Sequence, residues 1–386
     1  MRSIELFAGA GGLALGIDRA GFKHEAVVEF NRNACGTIRE NKRRGVIDWP
    51  LFEEDARLFN YLDYAGTIDL LAGGPPCQPF SIGGKHGGYD DARDMFPEAA
   101  RAVRELRPRA VMLENVKGLL RSNFSEYFEY VVLQISYPDI VKIAGEGWEH
   151  HLSRLEKHHT SGRDDGLHYR VVYRLLNAAD YGVPQRRERV VIVGFRSDLN
   201  IEWSFPEPTH THDALLFDKW VTGDYWDRHE VAKRLRPDPP CEASRAKLGA
   251  TWFSPSALPW RTVRDAIHDL PDPDRPAIPG EALNHRLVPG ARSYKGHTGS
   301  PLDEPAKTLK AGDHGVPGGE NMLAHPDGTV RYFTVRESAR LQTFPDDYAF
   351  FGSWTESMRQ LGNAVPVELG HAVASSIGSY LQGVGR

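Results

Sequence analysis

Residues 68–81 read Ile68-Asp69-Leu70-Leu71-Ala72-Gly73-Gly74-Pro75-Pro76-Cys77-Gln78-Pro79-Phe80-Ser81. The first five have the apolar pattern of a buried strand, and the glycines and prolines after them predict a sharp turn. Open α/β sheets bind ligands at the carboxyl ends of their strands, which is where this pattern places Cys77. A thiolate with a lowered pKa is an effective nucleophile near neutral pH. We therefore interpret Cys77 as a candidate nucleophile, with a structural turn that contains a buried cysteine as the alternative.

Strand and helix patterns alternate around this turn, from residue 1 to about residue 135. The predicted strands occupy 3–7, 26–28, a weaker region near Asp55, 68–72 and 110–113. Helical patterns follow the first two strands, at about 13–20 and 33–43. This alternation predicts an α/β fold with a parallel sheet and right-handed crossovers. Two more strands, at 168–177 and 189–195, are predicted to close one edge of the sheet, with antiparallel pairing as an option.

The composition narrows the class of protein. The chain has 386 residues with 40% hydrophobic and 26% charged side chains, typical of a globular protein, and no apolar run approaches the length of a membrane span. A formal net charge of −5 argues against non-specific coating of nucleic acid but allows a local basic groove. Three scattered cysteines predict neither disulfides nor a cysteine-based zinc site. We expect no metal at His150-His151 or His158-His159, which we interpret as a solvated loop or helix face.

The pattern divides the chain into three parts. Residues 1–200 carry the α/β pattern. Residues 201–331 are rich in proline and loops, but Trp220, Trp226, Trp252 and Trp260 provide material for a small core. Residues 332–386 return to helices, one with a capping box at Thr334 and Glu337 and a last one at about 367–381, which we expect to pack on the first domain.

The first strand ends in a glycine-rich turn, Phe7-Ala8-Gly9-Ala10-Gly11-Gly12. Glycines allow a ligand to approach the backbone, and a following helix offers free N–H groups. Glu29 ends the second strand, where a carboxylate can accept the hydroxyls of a ribose. The turn therefore predicts an adenosine-containing cofactor, without separating a nicotinamide dinucleotide from S-adenosylmethionine. Tight packing of helix on sheet is the alternative.

Two further motifs carry functional side chains. Glu114 ends the strand next to Cys77 and is placed to hold or protonate a heterocycle, although a helix cap is the alternative for its neighbour Asn115. The run 185–189 (Gln-Arg-Arg-Glu-Arg) supplies guanidinium groups suited to phosphates and carbonyl oxygens. Because Arg189 leads into an apolar strand, we expect it to have a specific contact rather than a solvated one.

Together these motifs resemble the DNA (cytosine-5)-methyltransferase family of the bacterial restriction–modification type. The resemblance is carried, in order, by Phe-x-Gly-x-Gly-Gly, Pro-Pro-Cys-Gln-Pro-Phe-Ser, Glu-Asn-Val, Gln-Arg-Arg-Glu-Arg, Arg-Glu-x-Ala-Arg-Leu-Gln-x-Phe-Pro and Gln-Leu-Gly-Asn-Ala-Val-Pro. It covers residues 1 to about 196 and 332 to the end. The family's variable target-recognition domain corresponds to 201–331, inserted before a C-terminal segment that completes a Rossmann-like, S-adenosylmethionine-dependent methyltransferase sheet.

The resemblance implies a set of site residues. Cys77 would add to C6 of a flipped cytosine, Glu114 would hold N3 and the exocyclic amine, Arg189 would hold O2, and Arg187 would support the site or touch a phosphate. The implied S-adenosyl-L-methionine site consists of Phe7, Gly9, Gly11, Gly12, Glu29, Asp55, Pro75, Asn363 and Val365. The implied substrate contacts are Gln78, Ser81 and Thr308. The run 83–88 resembles the family's loop that closes over the flipped base.

The implied partner is double-stranded DNA, bound by a cytoplasmic monomer that uses no metal and does not contact a membrane. A companion restriction endonuclease for the same site would act without a stable complex. Three alternatives remain at this point: an RNA (tRNA) cytosine-5 methyltransferase, a nicotinamide-dependent oxidoreductase, and a catalytically inactive DNA-binding protein.

Overall fold

The structure is a computed structural model of the chain. It describes residues 1–76, 94–162, 166–238, 256–275, 282–296, 298–311 and 319–384. The chain forms two compact units, each built from separate stretches of sequence. The first unit comprises Met1–Leu176, Glu188–Pro206 and Gly370–Arg386, and the second comprises Asn177–Arg187 and Glu207–Leu369. Residues 332–369 belong to the second unit in this division, and the predicted domains 1–200, 201–331 and 332–386 stay a prediction.

A seven-stranded sheet forms the centre of the first unit. Its strands are β1 (Arg2–Leu6), β2 (Lys23–Val28), β3 (Leu51–Phe52), β4 (Leu70–Gly73), β5 (Ala110–Val116), β6 (Tyr169–Asn177) and β7 (Glu188–Arg196). Their spatial order is β3-β2-β1-β4-β5-β7-β6. The first five strands pair in parallel, whereas β7 pairs antiparallel with β5, so the start of β7 lies beside the end of β5. The predicted α/β class is confirmed.

Five helices connect or follow these strands. They are α1 (Gly12–Arg19), α2 (Arg32–Arg43), α3 (Phe96–Leu106), α4 (Ser125–Ser136) and α5 (Trp148–Ser161). The packing of α3 illustrates why they form: Phe96, Ala99, Val103 and Leu106 recur at helical spacing and are all buried in the core of this unit. That core continues through the inward-facing residues of the strands.

The described part of the second unit consists of short elements, and its apolar side chains include two small clusters. Its strands are β8 (His210–Thr211), β9 (Leu258–Pro259), β10 (Ser300–Pro301), β11 (Met322–Ala324) and β12 (Val330–Tyr332). Its helices are α6 (His212–Phe217), α7 (Asp224–Arg228), α8 (Val263–Ile267), α9 (Val335–Leu341) and α10 (Trp354–Asn363). Trp220, Trp226 and Trp260 belong to one cluster, as the sequence predicts; Trp252 lies outside the described residues.

The last helix, α11 (Val367–Gly383), runs from the second unit into the first. A Cβ added at Gly370 would lie 3.2 Å from Cδ1 of Leu13, and one added at Gly378 would lie 3.3 Å from the ring of Phe22. These close approaches to α1 and the turn after it confirm the prediction that the last helix packs on the first domain. The capping box at Thr334 and Glu337 is also confirmed, at the start of α9.

One segment differs from its sequence-based description. Residues 136–167 have a weak pattern in the sequence, yet they contain the 14-residue helix α5. His151 is buried on this helix, and its ring nitrogens contact the hydroxyl of Tyr130 at 2.8 Å and the carbonyl oxygen of Ile140 at 2.7 Å. The expectation of a wholly solvated face was therefore wrong for His151.

Membrane-spanning helices and metal-binding clusters are both absent from the segments that the structure describes. No helix in these segments combines the length and apolar character that a membrane crossing requires. Within the same segments, no group of three or more His, Cys, Asp or Glu side chains is arranged to hold a metal ion.

Candidate active site at the carboxyl ends of the strands

The turn after β4 leaves the sheet next to Glu114. A Cβ added at Gly73 would lie 2.6 Å from the backbone oxygen of Leu6, so only glycine fits where β1 and β4 meet. A Cβ added at Gly74 would lie 3.2 Å from Oε2 of Glu114. The side-chain amide of Asn115 then donates to the carbonyl oxygen of Pro75 at 2.9 Å. These contacts fix the backbone of Gly73, Gly74 and Pro75, which precedes Cys77 by two positions.

Several predicted site residues lie beyond this point. Residues 77–93 are outside the described part of the chain. They include Cys77, Gln78, Ser81 and the glycine-rich run 83–88. Their assignments therefore stay predictions, and the described geometry concerns the side chains around them.

Glu114 and Arg189 form a buried ion pair. Nε of Arg189 lies 2.7 Å from Oε1 of Glu114, and each side chain is about one-tenth exposed. The strand register explains the contact, because β5 and β7 run antiparallel and Val116 faces Arg189. Burial lowers the pKa of the Arg189 guanidinium, and the Glu114 carboxylate opposes that shift. The two charged groups lie together at the strand ends beside Gly74, as the sequence predicts.

Arg187 has a different environment, inside the second unit. Its side chain is fully buried, and Nη2 donates to the carbonyl oxygens of Gly362 and Ala364 at 2.7 and 2.8 Å. Nη1 donates to the carbonyl oxygen of Leu309 at 3.2 Å. A guanidinium held in this way agrees with a supporting role and not with contact to a phosphate in solvent.

Thr308 lies in the segment that Arg187 holds. Its hydroxyl donates to the carbonyl oxygen of Arg186 at 2.7 Å, and the neighbouring Leu309 N–H donates to Oε1 of Gln185 at 3.0 Å. The run 185–187 and the segment 306–309 therefore form one structure. The Thr308 hydroxyl therefore holds the two segments together. Its predicted contact with DNA stays a prediction.

Asn363 and Val365 lie next to the same contacts. Asn363 is the last residue of α10, and Val365 is buried two positions later. The carbonyl oxygens that Arg187 binds belong to Gly362 and Ala364, which flank Asn363 directly. Arg187 therefore fixes the backbone at both sides of a predicted cofactor residue.

The glycine-rich turn after β1 has strained and left-handed backbone. Phe7, a bulky residue, has a φ of 57°, and Gly9 and Gly11 have φ values of 55° and 83°. Non-glycine residues rarely adopt such angles, and when they do the strain often marks a ligand site. A Cβ added at Gly9 would meet nothing within 4 Å, so the turn is open on that side. Gly12 begins α1, so its helix N-terminus adjoins the same space.

Glu29 organises this turn. Its Oε2 accepts the N–H of Gly9 at 2.7 Å, and its Oε1 accepts the N–H groups of Phe30 and Asn31 at 2.9 and 2.7 Å. Burial raises the pKa of Glu29, and these N–H groups oppose the shift. A carboxylate offers about four acceptor positions. Three are used, so Glu29 keeps an acceptor position for a hydroxyl, and its predicted contact with a ribose stays a prediction.

Glu5 is a buried carboxyl that the sequence analysis did not single out. It lies on β1, is buried, and accepts the backbone N–H of Ala14 in the first turn of α1, a helix whose N-cap Gly11 has no side-chain cap. Burial raises its pKa well above the usual range. The available signal was an acidic residue between two apolar ones, Ile4 and Leu6, at the end of a strand.

Asp55 is committed to a local contact. It caps a short 3-10 turn, Ala56–Leu58, by accepting the N–H of Arg57 at 3.0 Å, and it also pairs with the Arg57 guanidinium. The hydrogen bond from the Arg57 guanidinium lowers the pKa of Asp55. Because the Arg57 side chain is half exposed, the ion pair can exchange for another donor. A contact from Asp55 to an adenine amino group would require that exchange.

The chain is similar to a family of DNA methylases over most of its length. The model of the family described as C-5 cytosine-specific DNA methylase matches residues 1–136 and 163–379. The type II methyltransferase M.NgoMIV of Neisseria gonorrhoeae is 34% identical over 379 residues, covering 97% of this chain and 96% of its own. M.PspPI of Psychrobacter sp. (strain TA137) is 32% identical over 381 residues, covering 97% and 78%.

A solved structure from Escherichia coli, described as a DNA modification methyltransferase encoded within a prophage, gives a TM-score of 0.60 at 23% identity. The likeness covers 99% of each chain and concerns the fold. Residues 137–162, which include α5, fall outside the match to the family model.

Proposed function

Because this chain belongs to the C-5 cytosine-specific DNA methylase family, we propose that it transfers a methyl group from S-adenosyl-L-methionine to C5 of a cytosine within a specific sequence of double-stranded DNA. Its type II relatives support a role as the modification enzyme of a restriction–modification system. We assign it to the cytoplasm as a monomer, with any companion endonuclease acting as a separate protein.

The observation that carries the proposal is the buried Glu114–Arg189 pair beside Gly74. Cys77 follows Gly74 by three positions, and three residues of extended chain span at most about 11 Å. Chain connectivity therefore keeps Cys77 within about 11 Å of Gly74, which adjoins Glu114. A cytosine offers one site for each group: N3 and the exocyclic amine for a carboxyl, O2 for a guanidinium, and C6 for a thiol.

The chemistry requires the target cytosine to leave the base stack, since its C6 cannot be reached inside the duplex. The Cys77 thiolate forms a bond to C6, and the electron pair of the C5–C6 double bond moves toward C5. Glu114 holds N3 and the exocyclic amine, and Arg189 holds O2, so the ring accepts that charge. When bound, S-adenosyl-L-methionine supplies an electrophilic methyl group. Loss of the C5 proton then expels the thiolate and restores the ring.

The first turn has the features that such a cofactor needs. Gly9 leaves open space, α1 presents its N-terminus, and Glu29 retains one acceptor position for a hydroxyl. We assign Phe7, Gly9, Gly11, Gly12, Glu29 and Pro75 to its binding, together with Asp55, Asn363 and Val365. No metal is needed for this chemistry.

The test is methyl transfer from labelled cofactor to duplex DNA by the Cys77→Ala variant. We expect methylation to be abolished while the variant still binds DNA and S-adenosylhomocysteine. Cys241→Ala is the matched control, because it removes a thiol from a position without a predicted role, and it should methylate at the wild-type rate. DNA containing 5-fluorocytosine should trap a covalent complex with the wild type and not with Cys77→Ala.

Two results would overturn the proposal. Near wild-type methylation by Cys77→Ala would remove the nucleophile. Transfer to tRNA with none to duplex DNA would favour the RNA methyltransferase instead.

A further inference from the structure

A pocket of about 460 Å³ lies between α3, α4 and α5 in the first unit. Its volume is in the range of small-molecule sites. Among the residues that the structure describes, none assigned above to the cofactor or the cytosine lines it. The pocket is therefore a second cavity, for which the methylation chemistry supplies no occupant.

One wall of the pocket comes from the segment that the family model does not match. Residues 137–162 contribute Pro138, Ile140, Val141, Lys142, Trp148 and His151 to the lining. The other wall comes from family-matched residues on the outer faces of α3 and α4. One wall of the cavity is therefore formed by a segment outside the match to the family model.

The interior of the pocket is aromatic and preformed. The rings of Tyr127, Tyr130 and Trp148 are buried, with centroids 5.8–6.3 Å apart. His151, in the segment 137–162, contacts Tyr130 on α4. Burial lowers the pKa of His151, so the ring is neutral, and its Nε2 must donate to the carbonyl oxygen of Ile140. Its Nδ1 then accepts from the hydroxyl of Tyr130. This network holds the wall in place without a ligand.

The rest of the lining carries an excess of positive charge. It includes four cations (Arg57, Arg101, Arg104 and Lys142) and two acids (Asp94 and Glu98). Arg57 and Arg101 are paired with Asp55 and Glu98. Lys142 is exposed and forms no ion pair with any described residue, and Arg104 has only a 3.6 Å contact to Glu105. Two cations are therefore available to a bound anion.

We propose that this pocket binds a nucleoside 5′-monophosphate, a small anion with a planar aromatic part. The base lies against Tyr127, Tyr130 and Trp148, which offer apolar area and ring contacts. The phosphate pairs with Lys142 and Arg104, and its double negative charge offsets the excess of two cations.

The probe is guanosine 5′-monophosphate, measured by calorimetry on the full chain saturated with S-adenosylhomocysteine. A guanine probe avoids the adenine and cytosine that the methylation site is proposed to hold. We expect it to bind at least about tenfold more tightly than guanosine, which lacks the charge. Lys142→Glu should weaken binding about tenfold and leave DNA methylation unchanged.

Two further variants locate the site. Lys157→Glu makes the same charge change on an exposed residue of α5 outside the pocket lining, so it should not affect binding. Val141→Trp fills the pocket from an exposed position and should abolish binding without loss of fold. The proposal is overturned if guanosine 5′-monophosphate does not bind, if guanosine binds equally well, or if Lys142→Glu and Lys157→Glu have the same effect.

Discussion

Nη2 of Arg187 lies 2.7 Å from the carbonyl oxygen of Gly362, which is 175 positions away in the chain. This contact joins the Gln-Arg-Arg-Glu-Arg run to the Gln-Leu-Gly-Asn-Ala-Val-Pro segment inside the second unit. Two motifs that look independent in the sequence are therefore one structure. Arg189, two positions along, points to Glu114 in the first unit instead. Arg187 therefore makes its contacts within the second unit and Arg189 makes its contact within the first.

Replacing Arg187 by lysine should destabilise the protein. A lysine keeps the charge but cannot present the planar fork that reaches three carbonyl oxygens. We expect the free energy of unfolding to fall by about 3 kcal/mol, as buried acceptors lose their donors. Chemical denaturation measures the change. Arg186→Lys, at the exposed neighbouring position, should change stability by less than about 0.5 kcal/mol. Equal effects of the two substitutions would show that Arg187 is not an anchor.

The Gly362→Ala substitution tests the same region through sterics. A Cβ at this position would lie 2.6 Å from the backbone nitrogen of Ala311 and the carbonyl carbon of Lys310. Because backbone atoms cannot move aside freely, we expect a loss of about 2–3 kcal/mol. Gly383→Ala is the control, since it also changes a helical glycine but meets nothing within 4 Å. Thermal unfolding should show a lower Tm for the first variant only.

The sequence predicted local features better than contacts between distant segments. The capping box at Thr334 is a four-residue pattern, and it was found where predicted. For α5 the sequence left a loop or a helix open, and it did not indicate the burial of His151, which depends on Tyr130 and the carbonyl oxygen of Ile140. Likewise, no spacing rule indicates that Arg187 binds Gly362. Such contacts are decided by the folding of the whole chain, which a local pattern does not encode.

Glu5 should make stability depend on pH. Its pKa is raised in the folded protein, so above about pH 4.3 the unfolded chain releases a proton that the folded chain retains. The wild type therefore loses stability as pH rises, by about 1.4 kcal/mol per pH unit, until the folded-state pKa is reached. Glu5→Gln has no such proton, and its Oε1 can still accept from Ala14. The Tm of this variant relative to the wild type should rise between pH 5 and pH 8.

Glu29→Gln provides the contrast. Glu29 accepts N–H groups on both oxygens, and one of these oxygens becomes an NH2 donor in glutamine. We expect a loss of about 1–3 kcal/mol at neutral pH, where Glu5→Gln is stabilising. A Tm of Glu29→Gln at or above that of the wild type at pH 8 would show that these hydrogen bonds do not stabilise the turn.

The Glu114–Arg189 pair allows catalysis to be separated from stability. Glu114→Gln alone leaves a buried guanidinium without its carboxylate and should cost about 3–5 kcal/mol. The double variant Glu114→Gln/Arg189→Gln removes both charges, so we expect it to recover part of that stability. Methylation should stay reduced by about a hundredfold or more in both, because the cytosine is no longer held or protonated.

The exposed pair Lys117–Glu188, at the same strand ends, is the control. Its neutralisation should cost less than about 1 kcal/mol and leave methylation intact. A double variant that methylates DNA at the wild-type rate would reduce the buried pair to a structural element.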